Sequence, residues 1–369
     1  MWGLMKMNKS KNDATIMFDN TIINNPMKRK SKLVVMVGIP GSGKSTIAKT
    51  KILNTLYDGN IFSSDEYRLK LLGDENDQSN NQLVFSTLYE ELIQHLIGGK
   101  DAILDATNIS IKDRQRVFSQ IKSIRDNIEV VAYFVNTPIS TCIERDGKRN
   151  RVVGEDVIMK MVNRFQCPQY FEGFDSIVFH YFEYIHKNFS NALTPILSIM
   201  DDYDQKNPHH VGTLGAHCRK LASFYQENSL QYVAGLLHDI GKMRTQTIDE
   251  QGICHYYNHD SVGAYTICCF PEYINHSFSF EDCLTIVAII NFHMKFHKDW
   301  LNNNKYKNLL GEKLYNMIEE FANYDKLASG TNDIHDFLMD AMKIKKLSLD
   351  VIRSSEEYLN EQRRFYEYV

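Results

Sequence analysis

Apolar and polar positions alternate in two different ways along this chain of 369 residues. From Leu33 onward, short β-rich apolar runs take turns with amphipathic segments of helical period. In order they are "LVVMVG", a helix from Lys44, "NIFSS", a helix through "QLVFSTLYEELIQHL", "DAILDAT", a helix through "KDRQRVFSQIKSI", "EVVAYFV" and "PISTCIERDGKR". Such βαβ repetition predicts a parallel sheet covered by helices. The last strand signal is "DSIVFHYF", Asp175 to Phe182. Beyond it the apolar spacing is helical throughout: "LTPILSIM", "GTLGAHCRKLASFY", "QYVAGLLHDI", "VGAYTICCF", "CLTIVAIINFHMKF" and "KLYNMIEEFANYDKLA". The expectation is an α/β domain over residues 31–188 and an all-α domain over 189–369. Residues 1–30 lack periodicity and read as a flexible lead-in.

Composition changes this picture little. Hydrophobic residues make up 43% and charged residues 24%, ordinary for a soluble protein with real cores. No run approaches the ~20 apolar residues of a membrane span, and the polar N-terminus has no secretory h-region, so the chain reads as cytoplasmic with no membrane partner. The seven cysteines form no C-x-x-C pair and no regular spacing, which predicts free, mostly buried thiols rather than a zinc ribbon or disulfide framework. The net charge of −4 divides unevenly: residues 1–189 carry 25 Lys and Arg against 22 Asp and Glu (+3), the rest 17 against 24 (−7). A modestly basic first half permits a nucleic-acid or polyphosphate partner without demanding one.

Candidate chemistry in the first half begins with "GIPGSGKST". It fits G-x-x-x-x-G-K-[ST] at Gly38, Gly43, Lys44 and Ser45, after an apolar strand and before a helix. Backbone N–H groups of Gly41, Ser42, Gly43, Lys44, Ser45 and Thr46 would cradle the phosphates of ATP or another NTP. Lys44 would reach the β and γ oxygens and the Ser45 hydroxyl would ligate Mg²⁺. The acceptor side lies elsewhere on the same edge. "FSSDEYR" puts Asp65 at the C-terminal end of the second strand, where a carboxylate can take a proton from an attacking hydroxyl. Arg68, one turn later, can hold a phosphate on the acceptor. "ILDATN" brings Asp105, Thr107 and Asn108 to that edge. "ERDGKRNR" supplies Arg145, Arg149 and Arg151; on a helix Arg145 and Arg149 would share a face, a lid for the transferring phosphoryl group.

Together these residues resemble the phage-type 5′-hydroxyl polynucleotide kinases over about residues 32–180. The resemblance rests on "GIPGSGKS", "SSDEYR", "DATN" and the lid "RDGKR". It implies that Asp65 is the general base, that Arg68 contacts the acceptor's phosphate and that Arg145 and Arg149 clamp the donor phosphates. For Asp105 it implies a lesser role, positioning an arginine. Small P-loop kinases acting on sugars, nucleosides or toxin targets share the fold and some of the motifs, so the acceptor stays open.

In the second half, the apolar run "QYVAGLLHDIGKMR" ends in adjacent His238 and Asp239. A lone histidine on an apolar helix is ordinarily a core residue, but His217, His259, His293 and Asp325 also sit on or beside apolar helices, where unpaired polar groups cost free energy. A site for one or two divalent transition metals removes that cost. Imidazole and carboxylate donors suit Mn²⁺, Fe²⁺, Zn²⁺, Ni²⁺ or Co²⁺. The order H…HD…H…H…D resembles the HD-domain phosphohydrolases over about residues 192–345, and "NPHHVGTLGAHC" with "GLLHDIGK" is similar to the HD module of some CCA-adding nucleotidyltransferases. The resemblance implies that His217, His238, Asp239 and Asp325 hold one metal and that His259 and His293 join a bridging Asp239 on a second. Gly241 would end the helix and leave Lys242 free to meet a substrate phosphate. His210, His297 and Asp260 are outer-sphere or phosphate-contact candidates.

One domain thus adds phosphate and the other removes or opens phosphate esters, an economical pair if they act on different ends. The leading expectation is a bifunctional enzyme healing broken RNA or DNA ends, RNA ahead of DNA, with an RNA ligase as a partner. Its kinase would phosphorylate 5′-OH ends, and its HD module would hydrolyse 2′,3′-cyclic, 2′- or 3′-phosphates. A nucleoside or nucleotide kinase fused to an HD nucleotidase is the alternative. A third reading is a sensor in which one domain only binds.

Overall fold

The computed structural model describes residues 29–149, 151–181, 193–207, 212–274, 278–296 and 304–329. The expected lead-in through residue 28, the domain boundary at 188/189, His210, His297 and the tail from residue 330 lie outside the described residues.

Five strands form the expected parallel sheet: β1 Ser31–Val37, β2 Asn60–Ser63, β3 Ala102–Asp105, β4 Ile128–Phe134 and β5 Ser176–Phe179, in the order β2-β3-β1-β4-β5. Helices cover both faces, so the strands are apolar on both sides; Leu33, Val35, Met36 and Val37 of central β1 are fully buried. The helices are α1 Lys44–Ile47, α2 Ser64–Leu72, α3 Asn81–Ile97, α4 Ile111–Gln120, α5 Ile139–Gly147 and α6 Glu155–Val162. Helix α1 runs on through a π turn, Ala48–Ile52, and a 3-10 turn, Leu53–Thr55. Asn80 caps α3 by accepting from Leu83 N, and Ser110 with Asp113 forms a capping box on α4.

The second half is built on α7 Leu193–Asp201, α8 Leu214–Ala222, α9 Leu230–Leu237, α10 Lys242–Thr245, α11 His259–Cys269, α12 Phe280–Phe292, α13 Asn304–Leu310 and α14 Glu312–Ala328. Helices dominate it, as expected, with one short addition. An antiparallel hairpin, β6 Gln246–Ile248 with β7 Cys254–Tyr256, stands between α10 and α11. Its strands are three residues each; β6 is exposed, and the buried–half-buried–buried alternation of β7 is too short to mark a strand.

Two helix ends also differ from expectation. Helix α5 stops at Gly147, so Arg149 lies beyond it and shares no helical face with Arg145. Helix α9 stops at Leu237 and not at Gly241. Gly241 has φ −63°, an ordinary value, and is needed for a different reason: a Cβ there would lie 2.1 Å from His259 O and 2.6 Å from Gly263 N of α11.

The main hydrophobic core runs without a break from the sheet into the helical half, joining Val35 and Phe134 to Tyr265, Ile289 and Phe321. Buried polar side chains cross the same boundary. Asn291 donates to Phe165 O at 3.0 Å and accepts from Cys167 N at 2.9 Å, while Gln169 donates to Leu284 O at 3.0 Å. All seven cysteines are free and buried.

Candidate phosphate and metal sites

Because all five strands are parallel, their C-terminal ends share one edge. The loop after β1 turns into α1 there. Gly41 (φ 77°) packs so closely on α5 that a Cβ would lie 2.2 Å from Cys142 O, and Gly43 (φ 95°) precedes the first residue of α1. Ser42 is fully buried, whereas Ser45 and Thr46 stand exposed at the helix start, open to a ligand. Lys44 Nζ donates to Ile39 O at 3.1 Å; burial lowers its pKa, against the opposing Asp105 carboxylate. Among the described residues no arginine pairs with Asp105, whose charge instead opposes the lowering of the Lys44 pKa. Asn108, left-handed at φ 44°, ties its amide to Met36 O at 2.8 Å and braces the end of β1.

Asp65 is the second residue of α2. Its Oδ1 accepts from Arg68 Nη1 at 2.8 Å, and its Oδ2 lies 3.2 Å from Arg151 Nη1. Arg68 is also held by Asn81 Oδ1, 3.2 Å from Nη2. The carboxylate is half-exposed between two guanidinium groups (46% of the side chain) while Arg68 is buried. Arg145 points back to the phosphate loop, Nη1 3.4 Å from Ser42 O. Arg149 stays near Asp146, 3.6 Å away. The three arginines therefore divide: Arg145 approaches the loop backbone, Arg151 pairs with Asp65, and Arg149 pairs with Asp146, near enough to Lys44 for its charge to lower that pKa.

In the second half the predicted residues converge. His217 comes from α8, His238 and Asp239 from the turn after α9, His259 from the start of α11, His293 from the end of α12 and Asp325 from α14. Oδ1 of Asp325 lies 3.0 Å from His217 Nε2 and 3.3 Å from His238 Nε2. Asp239 turns Oδ2 toward that pair, 3.4 and 3.2 Å away, and Oδ1 toward His259 Nε2 at 3.0 Å and His293 Nε2 at 3.9 Å. Of the three groups close enough to share an ion, His217–His238–Asp325 and Asp239–His259–His293 meet at Asp239, and the third, Cys218–His238–Asp239, adds only a thiol to residues of these two.

Three of the rings are oriented the same way. Nδ1 of His238, His259 and His293 donates to the carbonyl three residues earlier, Gly235 O at 2.9 Å, Tyr256 O at 2.6 Å and Ile290 O at 2.8 Å. When the ring is neutral, each Nε2 is then the inward-facing lone pair. His259 Nε2 is buried and makes no hydrogen bond. A buried all-nitrogen-and-oxygen donor set with such an atom fits one or two divalent cations.

Burial pushes His217 and His238 toward lower pKa, but the Asp239 and Asp325 carboxylates outweigh it and both are raised. Burial and the charge of His238 hold His293 down at about 3. Burial raises Asp239, and His238, Lys242 and His259 together overcome that and place it well below the carboxylate range. Lys242 is not free as expected. It is buried, Nζ 2.7 Å from Asp239 Oδ2 and donating to Gln205 Oε1 at 2.9 Å, above the Tyr256 ring. Tyr256 in turn donates from its hydroxyl to Gln205 O. Gln205 and Tyr256 were not foreseen; the sole clue was that Tyr256 stands three residues before His259. Asp260 faces Lys295 Nζ at 3.2 Å.

Residues 33–168 match the model of the AAA domain family, and residues 209–319 match that of the HD domain. No curated protein is similar enough to match. Among solved structures, a chain of the Pnkp1/Rnl/Hen1 RNA repair complex is 25% identical with a TM-score of 0.34. That similarity covers 38% of this chain and 45% of that one, so the chain spans less than half of its length. A gluconokinase from Sinorhizobium meliloti 1021 is 14% identical, TM-score 0.30, over 41% of this chain and 82% of that one. A sugar kinase from Janibacter sp. is 15% identical with the same TM-score, over 41% and 85%. The chain joins a P-loop kinase-like domain, on a five-stranded parallel sheet, to an HD domain.

Proposed function

We propose that the protein heals nucleic-acid ends, RNA ahead of DNA, by phosphorylating 5′-hydroxyls and hydrolysing 2′,3′-cyclic, 2′- or 3′-phosphates, in the cytoplasm and upstream of an RNA ligase. The observation that carries the acceptor class is the guanidinium on each side of Asp65. A hydroxyl whose neighbour is a phosphodiester brings an anion to both arginines, whereas a neutral sugar leaves them without one. "SSDEYR", "DATN" and "RDGKR" support the same reading.

In the kinase half, Asp65 accepts the proton of the acceptor hydroxyl, whose oxygen bonds to the γ-phosphorus of ATP as the bond to the β,γ-bridging oxygen breaks and ADP leaves. Lys44 and the loop N–H groups hold the departing phosphates, Arg68 and Arg151 hold the acceptor's phosphate, and Arg145 and Arg149 close on the γ-phosphoryl oxygens. Ser45 would hold the Mg²⁺ that neutralises the donor phosphates. In the HD half, divalent cations on the two donor groups would supply Lewis acidity toward a phosphate ester. There Asp239 would belong to both groups, the three clamped imidazoles keep their orientation, and Lys242 is a phosphate contact once its pairing with Asp239 is relieved.

The test is a 5′-OH oligoribonucleotide ending in a 2′,3′-cyclic phosphate, incubated with ATP and divalent metal, with both ends resolved. A new 5′-phosphate and an opened or removed terminal phosphate are expected. Faster turnover of nucleosides and mononucleotides than of oligonucleotides would favour the nucleoside kinase and HD nucleotidase alternative instead.

A further inference from the structure

We infer that Tyr265, a residue of the HD half, is a positioning residue for the nucleotide-binding loop of the kinase half and acts through Thr137. The inference rests on the reading of residues 38–45 as a phosphate loop.

Thr137 follows β4 and is buried (1% exposed), directly behind the loop. Its Oγ1 donates to Ser42 O at 2.9 Å, the same carbonyl that Arg145 approaches. Its own carbonyl accepts from the Tyr265 hydroxyl at 2.8 Å. One turn further along α11, Cys268 O accepts from the amide of Asn136 at 2.8 Å, so two consecutive residues behind the loop are pinned to one face of that helix. The Tyr265 ring is fully buried edge-on against Phe165 (5.0 Å between centroids) and Phe134 (5.9 Å). On its other side the loop has no slack, because Gly41 already touches Cys142 O of α5.

The loop backbone is therefore held between α5 and a hydrogen-bonded column from Ser42 through Thr137 to Tyr265. Phosphate binding by backbone N–H groups depends on their convergence, and small displacements misalign several donors together. A buried phenol whose hydroxyl bonds to a carbonyl 128 residues back along the chain, with the Cys142 thiol of α5 as a second neighbour, gives the HD half a direct hold on that convergence.

The test measures binding of a fluorescent ATP analogue with Mg²⁺ to the full chain, alongside thermal melting and metal content. Tyr265→Phe keeps the ring, and Thr137→Val keeps the shape of the side chain. Each is expected to bind the analogue roughly three- to tenfold more weakly, the range of one net hydrogen bond. Thr137→Ser, which keeps the hydroxyl, should restore wild-type binding. The double variant should bind no more weakly than the weaker single one, since both act on one column. Metal bound by the HD half should not change. Wild-type affinity in both single variants, or weakening that Thr137→Ser fails to rescue and that only follows a fall in Tm, overturns the inference. Absence of binding by the wild type would overturn the phosphate-loop reading itself and this inference with it.

Discussion

The two oxygens of Asp239 address different histidines: Oδ2 lies 3.2 Å from His238 Nε2, and Oδ1 lies 3.0 Å from His259 Nε2. A bridging carboxylate belongs to both coordination spheres, so removing it should dismantle both. Asp239→Asn is expected to lose all bound transition metal and the phosphoesterase activity together, whereas His259→Ala should retain the ion on the His217, His238 and Asp325 side. Elemental analysis of the folded variants decides the matter, and full occupancy in Asp239→Asn would falsify the bridge.

Metal uptake should release protons. The carboxylates raise His217 and His238 above the ordinary imidazole pKa, so without metal these rings keep their protons to higher pH. An imidazole ligates only when neutral, so affinity should fall as pH falls, and protons should appear in solution on uptake near neutrality. A pH electrode in weakly buffered protein titrated with Mn²⁺ or Zn²⁺ reads this directly. Uptake without proton release would mean that these rings are already neutral.

The acceptor side of the kinase separates two kinds of arginine. Arg68→Ala and Arg151→Ala should raise the oligonucleotide KM and leave ATP binding unchanged, because both guanidinium groups border Asp65. Arg149→Ala should mainly lower kcat if this side chain swings in to meet the transferring group. Steady-state kinetics with the roles reversed would relocate the acceptor. Asp65→Asn should abolish transfer while nucleotide binding and phosphoesterase activity survive.

Gly241 offers a stability test. A methyl group there meets His259 O and Gly263 N at distances no Cβ tolerates, so α10 and α11 must separate. Gly241→Ala should cost about 1–3 kcal/mol or more, as overpacking does. Because His259 starts α11, metal content should fall with it. A melting temperature equal to the wild type would show that the helices part without cost.

Most of the architecture was legible because it is written in local terms: glycines where a loop wraps phosphate, apolar runs where a strand is covered on both faces, histidines on helices too apolar to hold them idle. What was illegible depends on where helices end and on pairs distant in sequence. The shared face of Arg145 and Arg149 failed because α5 ends two residues before Arg149, at Gly147, a helix-ending residue that an i, i+4 spacing passes over. The hairpin over 246–256 escaped because its strands are only three residues long and β6 buries nothing. Lys242 looked available because no neighbour in sequence betrays the approach of Gln205, 37 positions earlier. The hold of Tyr265 on Thr137 has no sequence signature at all.

The unbroken core between the halves bears on how the protein can be taken apart. Severed near residue 188, the kinase half would present Phe134 and Phe165 and the carbonyls of Thr137 and Phe165 to solvent, while the HD half would present Tyr265 and Asn291. Each fragment would carry a raw apolar scar lined with hydrogen-bonding groups cut from their partners, and would tend to aggregate or to seek the other. Mixed together, the two pieces should reassemble, so that activity lost on cleavage returns on co-refolding and the whole melts as one body.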